Sequence, residues 1–443
     1  MKANPVKIEI MDTTLRDGEQ TSGVSFVPHE KLMIARALLQ DLNVDRIEVA
    51  SARVSEGEVD AVRSICQWAR QTGRLHRVEV LGFVDGHASL DWIHACGCKN
   101  INLLCKGSEN HCTNQLKKTL EQHVADIRRS LDYAEELGIA VNVYLEDWSN
   151  GMKHSPDYVF ALMDALKDTK IRRFMLPDTL GILNPLDLLG YIRKMVKRYP
   201  GVHFDFHAHN DYDLAISNVL AAVLGGCRGI HTSVNGLGER AGNAPLASVQ
   251  AILKDQFNAQ TGIDESRLNE VSRMVESYSG IPIPPNRPIT GESVFTQVAG
   301  VHADGDNKAN LYCNDLLPER FGRVREYALG KTSGKANIRK NLEALGIDID
   351  ENSMRKVTER IIELGDKKEM VTTEDLPYII SDVLHHDTMA DQRIRILNYS
   401  LSLAQGLKPV ATLKIEINGE AYQESASGDG QYDAFVRALR KIY

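Results

Sequence analysis

The stretch Val202-His-Phe-Asp-Phe-His207-Ala-His209-Asn210-Asp211 decides the architecture. Its apolar residues alternate and then give way to two imidazoles two positions apart. That pattern is a strand whose tip turns both rings to one side. Imidazoles on one face at the end of a buried strand are well placed to hold a divalent metal. A second stretch, Asp12-Thr-Thr-Leu-Arg16-Asp17-Gly-Glu-Gln20, follows the short run Val6-Lys-Ile-Glu-Ile10 and supplies a carboxylate. The rest of the chain makes sense as a scaffold that joins these two strand ends.

Outward from these stretches, short β-rich runs recur between helical segments. They are 7–12, 46–51, 77–83, 100–105, 140–146, 172–178, 203–210 and 229–236. Amphipathic segments such as 31–42, 119–138, 185–199 and 214–225 separate them, several closing on Gly as helix ends do. Strict alternation calls for a parallel sheet, and eight repeats call for a (β/α)8 TIM barrel, with a doubly wound open sheet as the alternative. In such a barrel the chemistry sits at the C-terminal strand ends. Arg16 and Asp17, Glu146, Asp178 and Thr179, the two histidines, and Asn235 to Asn243 all fall there. This sorting of polar groups to one end is the physical argument for an enzyme.

The proline-rich piece Ile281-Pro-Ile-Pro-Pro-Asn-Arg-Pro288 reads as a semi-rigid linker. A mostly helical region follows, opening with Ala299-Gly-Val-His302-Ala-Asp304-Gly305. The tail holds a hairpin, 412–417 and 421–425 around Asn418-Gly419, and a final helix over 432–443. The expected division is a catalytic barrel over 1–280, a helical linker subdomain over 281–395, and a short α+β piece over 396–443.

Composition narrows the function classes. A chain of 443 residues exceeds one ordinary core, and 43 % hydrophobic with 25 % charged residues is soluble globular composition. A net charge of −8 argues against a nucleic-acid partner. No apolar run reaches the roughly 20 residues of a membrane helix, and the N-terminus has no signal core. Seven scattered cysteines fit free thiols in a reducing cytoplasm. The close pair Cys96-Gly97-Cys98 has no second pair at zinc-site spacing and reads as buried or redox-inert.

Asp17, His207 and His209 make a one-carboxylate, two-histidine set with open positions, suited almost equally to Zn, Mn, Co or Mg. Arg16 can polarise a carbonyl or stabilise an oxyanion, or else sit in an internal salt bridge. Glu146 ends an otherwise apolar strand, which suits a general base of raised pKa; its neighbour Asp147 is the plainer alternative. Thr179 can bond a carboxylate, although Thr after Asp is also an ordinary helix cap. Gly236-Leu-Gly-Glu-Arg-Ala-Gly242-Asn243 is glycine-rich but lacks the spacing and the acidic partner of a dinucleotide site.

Four motifs in order, 12–20, Leu176-Pro-Asp-Thr-Leu-Gly181, 207–211 and 236–243, resemble those of the isopropylmalate, homocitrate and citramalate synthases. The resemblance extends to Gly300-Val-His302-Ala-Asp304 and Leu329-Gly-Lys-Thr-Ser-Gly334 beyond the barrel. It implies a Claisen-type condensation of acetyl-CoA with a 2-oxo acid, followed by thioester hydrolysis. By this resemblance Asp17, His207 and His209 hold the metal, and Asn243 is an extra ligand or lies just behind it. Arg16 acts on the carbonyl, Thr179 binds the carboxylate, and Glu146, His302 and Asp304 handle proton transfer. A homodimer is implied too, with the post-barrel subdomain of one chain near the other's site.

Within this family, isopropylmalate synthases carry a small Ser where this chain has Tyr144 and His where it has Asn102. Bulky Tyr144 and Leu104 shrink the pocket towards a methyl group and favour pyruvate. The wording of 143–151, 209–214 and 286–291 also resembles the citramalate synthase of the isoleucine route. A homocitrate synthase needs a cation for a distal carboxylate, and strands 4 and 5 offer only the flanking Lys106. Members of the group end in a regulatory domain of two repeated halves, whereas 396–443 resembles one half, so feedback by the end-product amino acid is expected to be weakened or absent. Metal-dependent aldolases and acyl-CoA lyases share the first motif and the histidines, and generally lack the His302 subdomain.

Overall fold

The computed structural model of the protein describes residues 5–299, 305, 311–385 and 394–443. Eight parallel strands close into a barrel: β1 Glu9–Asp12, β2 Arg46–Ser51, β3 Val78–Phe83, β4 Asn100–Lys106, β5 Ala140–Glu146, β6 Phe174–Asp178, β7 Phe204–Ala208 and β8 Gly229–Thr232. Closure is direct, since β1 pairs with both β2 and β8, Glu9 lying opposite Gly229 and Asp12 opposite Thr232. The open-sheet alternative is thereby excluded. Several strands start one or two residues later than their β-rich runs, and β7 ends at Ala208.

Each strand buries one row of side chains against the helices and points the other into the lumen. The outer rows, such as Ile47 and Val49 or Val141, Val143 and Leu145, join the apolar faces of helices like Glu56–Gln71 and Pro185–Arg198 in one core. The inner rows are unusually polar. Arg46 reaches Glu79 at 3.0 Å and Asp205 at 2.6 Å, and Arg173 reaches Glu9 at 2.7 Å. This ionic layer fills the lower lumen, and above it lies a small apolar layer of Met11, Leu81, Tyr144 and Met175.

The loop after β1 is pinned from below by a buried lysine. Lys31 is 1 % exposed; its Nζ lies 2.6 Å from Glu19 and 2.5 Å from Glu58 and donates to the carbonyl of Leu15, just before Arg16. Removing one partner of such a cluster leaves uncompensated charge in low dielectric. Lys31→Met is expected to destabilise the protein by roughly 3 kcal/mol, read as a lower urea midpoint; an unchanged midpoint would remove Lys31 from this role.

The chain divides into two compact units, Met1–Thr296 with Asn310–Glu326, and Gln297–Ala309 with Tyr327–Tyr443. In the first, Ile289 and Phe321 stay buried in the barrel's core after the proline-rich stretch. In the second, helices Lys335–Leu345, Glu351–Asp366 and Leu376–His385 pack around Ile338, Met354, Val357 and Ile361. The expected hairpin is present as Val410–Ile417 and Glu420–Ser427. Its two turn residues, Asn418 at φ 53° and Gly419 at φ 89°, have the paired positive φ of a type I′ turn. A third strand, Ile394–Ser402, joins it and was not anticipated. A bulge between Ile396 and Asn398 breaks its alternation, so no period of two survives across the segment. The last helix is Gln431–Ile442.

Candidate metal and substrate site

At the C-terminal mouth of the barrel a cavity of about 250 Å³ is lined by groups from the successive strand ends, among them Arg16, Asp17, Leu104, Tyr144, Glu146, Thr179, His207 and His209. β7 delivers His207, and His209 just past its end, to one side, as the spacing requires. Their Nε2 atoms are 3.3 Å apart, and Asp17 Oδ2 lies 2.9 Å from the first and 4.0 Å from the second. These three are the one cluster of metal-donor side chains among the described residues.

The electrostatics suit a cation. Burial alone would raise the Asp17 carboxyl, but Arg16 and the two imidazoles outweigh it and hold the group well below the usual carboxylate range. Burial, helped by His207, pushes His209 down to about 3, which leaves the neutral ring that ligates. One carboxylate oxygen and two imidazole nitrogens within 4.8 Å of one another in a buried space are a donor set that fits a divalent metal. Asn243 pairs with His209 across a β-bridge, and its Oδ1 is buried with no hydrogen-bond partner among the described residues. Asp12, in the same motif as Asp17, is a different case. Its Oδ1 accepts from Thr14 N at 2.9 Å, and burial pushes it up to about 7.

Arg16 satisfies both of its readings. Its Nε bonds Glu48 at 2.5 Å and its Nη1 lies 3.5 Å from Asp17, yet the guanidinium also lines the cavity. Glu48 in turn accepts from Asn102 at 2.7 Å, and Asn102 from Asn142 at 2.8 Å, so Arg16 stands on a buried polar column. Asn102 serves that column and is not among the residues lining the cavity.

Glu146 lines the cavity, and Lys106, its register partner on β4, turns in to pair with it. The carboxylate is therefore neutralised by an ion pair, where an isolated acid in apolar surroundings was expected. Asp147 is structural: it is buried, sits at φ 63°, and accepts from Ser108 and Asn150, both at 2.7 Å. Thr179 Oγ1 accepts from Asp147 N at 3.0 Å, which orients its hydroxyl from behind. Arg240, on the glycine-rich loop, donates to the Thr179 carbonyl at 2.9 Å and to Asp211 at 2.7 Å. That loop folds tightly enough that a Cβ on Gly242, at φ 84°, would meet the Gly236 carbonyl oxygen at 2.0 Å. His302 and Asp304 lie outside the described residues.

Three family models match in sequence: HMGL-like over residues 7–275, homocitrate synthase post-HMGL domain-like over 289–369, and LeuA allosteric (dimerisation) domain over 370–443. Similar proteins include the (R)-citramalate synthase of Methanocaldococcus jannaschii, 33 % identical over 98 % of this chain and 86 % of that one. The 2-isopropylmalate synthase of the same organism is 34 % identical, over 99 % and 83 %. A putative (R)-citramalate synthase of Methanopyrus kandleri is 34 % identical, over 99 % and 84 %. The chain belongs to the HMGL-like citramalate and 2-isopropylmalate synthase family.

Among solved structures, hydroxymethylglutaryl-CoA lyase from Pseudomonas aeruginosa matches at TM-score 0.55 and 19 % identity, covering 63 % of this chain and 95 % of that one. It shares the barrel fold. Membership of the synthase family makes the chain an acyltransferase of the citramalate and 2-isopropylmalate synthase type. Leu81 on β3 lines the cavity beside Leu104 and Tyr144 and was not anticipated. Counting alternation inward from Glu79, which faces Arg46, would have found it. The Cys96 and Cys98 thiols are buried, as expected, and belong to no metal cluster among the described residues.

Proposed function

We propose that this protein condenses acetyl-CoA with pyruvate, a Claisen-type reaction giving (R)-citramalate and CoA for isoleucine synthesis. The observation that carries the substrate is the apolar wall of Leu81, Leu104 and Tyr144 in the cavity that also holds Asp17, His207 and His209. We read that wall, packed on Met11 and Met175, as favouring a methyl group over an isopropyl one.

Asp17, His207 and His209, with Asn243 Oδ1 as a further donor, would hold a divalent metal; Zn, Mn, Co and Mg all suit this set. Such an ion supplies Lewis-acid polarisation of the oxo acid. Arg16 donates to the 2-oxo oxygen as it gains negative charge. Thr179 turns its hydroxyl proton to the substrate carboxylate. Glu146, His302 and Asp304 share the proton transfers. One proton leaves the acetyl methyl, a carbon–carbon bond forms to the pyruvate carbonyl carbon, and the new alkoxide takes a proton. Water then cleaves the thioester and CoA departs as the thiol.

A homodimer fits the LeuA dimerisation match and the strand Ile394–Ser402, which exposes Ile396 and Tyr399 at 53 % and 58 %. The second reading, 2-isopropylmalate synthesis from 2-oxoisovalerate, is favoured by relatives of that name at equal identity. An aldolase or lyase reading rests on the barrel alone and leaves the match over 289–369 without a role.

Competition decides between the substrates. With equimolar pyruvate and 2-oxoisovalerate, mass spectrometry should find mainly citramalate; mainly 2-isopropylmalate would overturn the pyruvate reading. Tyr144→Ser should raise kcat/KM for 2-oxoisovalerate relative to pyruvate by about 10–200-fold, the worth of one or two methylenes in an apolar pocket. No change in that ratio would take Tyr144 out of the argument.

A further inference from the structure

We infer that His231 is a positioning residue that sets the selectivity of the cavity by pinning the Tyr144 ring. The inference rests on the reading of this cavity as the 2-oxo acid site. Tyr144 is 2 % exposed, so its hydroxyl must find a partner inside the barrel. The partner is His231 Nδ1 on β8, 3.0 Å away. Two of the side chains packed on the ring, Met11 and Met175, are unbranched thioethers that deform readily. The ring also meets His207 and His231 edge-on and lies under the Arg16 guanidinium, and the hydrogen bond to His231 is the directional contact that sets its tilt.

His231 can accept only if its other nitrogen carries the proton. Nε2 lies 3.1 Å from Asp205 Oδ2, and Asp205 has no solvent exposure. Asp205 is itself gripped by Arg46 at 2.6 Å and by His203 at 2.9 Å, so its carboxylate is fixed in place. The Nε2 proton is drawn to that carboxylate, which leaves Nδ1 bare and aimed at the phenol. Backbone register makes the reach possible. Gly229 pairs with Asp205, and a Cβ there would sit 1.9 Å from Asp205 Oδ1. The chain Arg46–Asp205–His231–Tyr144 thus ties one wall of the cavity to the rigid ionic layer beneath it.

The test uses the full-length protein and three variants. His231→Phe keeps a planar ring and removes the acceptor; Tyr144→Phe removes the donor without leaving a buried hydroxyl unpaired; the third combines both. Each should raise kcat/KM for 2-oxobutyrate relative to pyruvate by roughly tenfold, and the double variant should add nothing to either single one. A merely structural His231 would lower stability and both kcat/KM values together, leaving the ratio unmoved, and that result overturns the inference. Should His231→Phe fail to fold, an unmoved ratio in Tyr144→Phe overturns it equally. A crystal structure of Tyr144→Phe or His231→Phe reads the ring whatever the substrate: a tilted or doubly placed ring supports the inference, and an unmoved one refutes it. Failure of the pyruvate reading shows separately, as a wild-type preference for 2-oxoisovalerate.

Discussion

Arg16→Gln is expected to lower kcat with pyruvate by roughly 10³, with a smaller rise in the KM for the oxo acid. The guanidinium meets the substrate oxygen only as negative charge grows on it, so its loss falls on the transition state more than on binding. Arg16 also carries a second duty. Its side chain neutralises Glu48 and Asp17, whose side chains are 0 % and 1 % exposed, so the Gln variant leaves both buried carboxylates without that cation. A lower melting temperature should accompany the kinetic loss. Arg16→Lys should recover little, because one ammonium cannot bond Glu48 through one nitrogen and present two others to the cavity. Near-wild-type turnover in Arg16→Gln would show that the oxo group is polarised by other means.

The second large effect is at the metal cluster. His207→Ala is expected to lose the bound ion on dialysis and to lower kcat by about 10³ or more, since metal polarisation is worth several kcal/mol. Metal content by elemental analysis separates this from a folding defect. A variant that folds, keeps its ion and yet fails to turn over would place the metal elsewhere. Asp17→Asn should behave alike, because it removes the one negative charge among the three donors.

The barrel was legible because its eight strands carry their period openly and each polar tip marks a C-terminal end. His207 and His209 announced themselves by spacing, and Asp17 by its place after β1. What escaped notice lies in the lumen. Arg46, Glu79 and Asp205 alternate with apolar neighbours just as residues facing water do, and alternation alone cannot tell a solvated face from a closed interior. Closure turns that polar row inward, where it becomes the ionic layer that holds His231 and, through it, Tyr144. The pairing of Lys106 with Glu146 was hidden for a related reason: it depends on the β4–β5 register, which one strand read by itself does not contain. Strand Ile394–Ser402 escaped because its bulge shifts the phase midway.

The central claim is that the buried Asp17, His207 and His209 cluster works with the Leu81, Leu104 and Tyr144 wall to join acetyl-CoA to pyruvate. The most direct measurement is CoA release by the purified protein from acetyl-CoA, with pyruvate and 2-oxoisovalerate in parallel, each with and without a chelator. The account predicts release that favours pyruvate, stops with the chelator and returns when a divalent metal is added back. Release untouched by a chelator that demonstrably strips the protein of metal, or no release with either oxo acid, would contradict it.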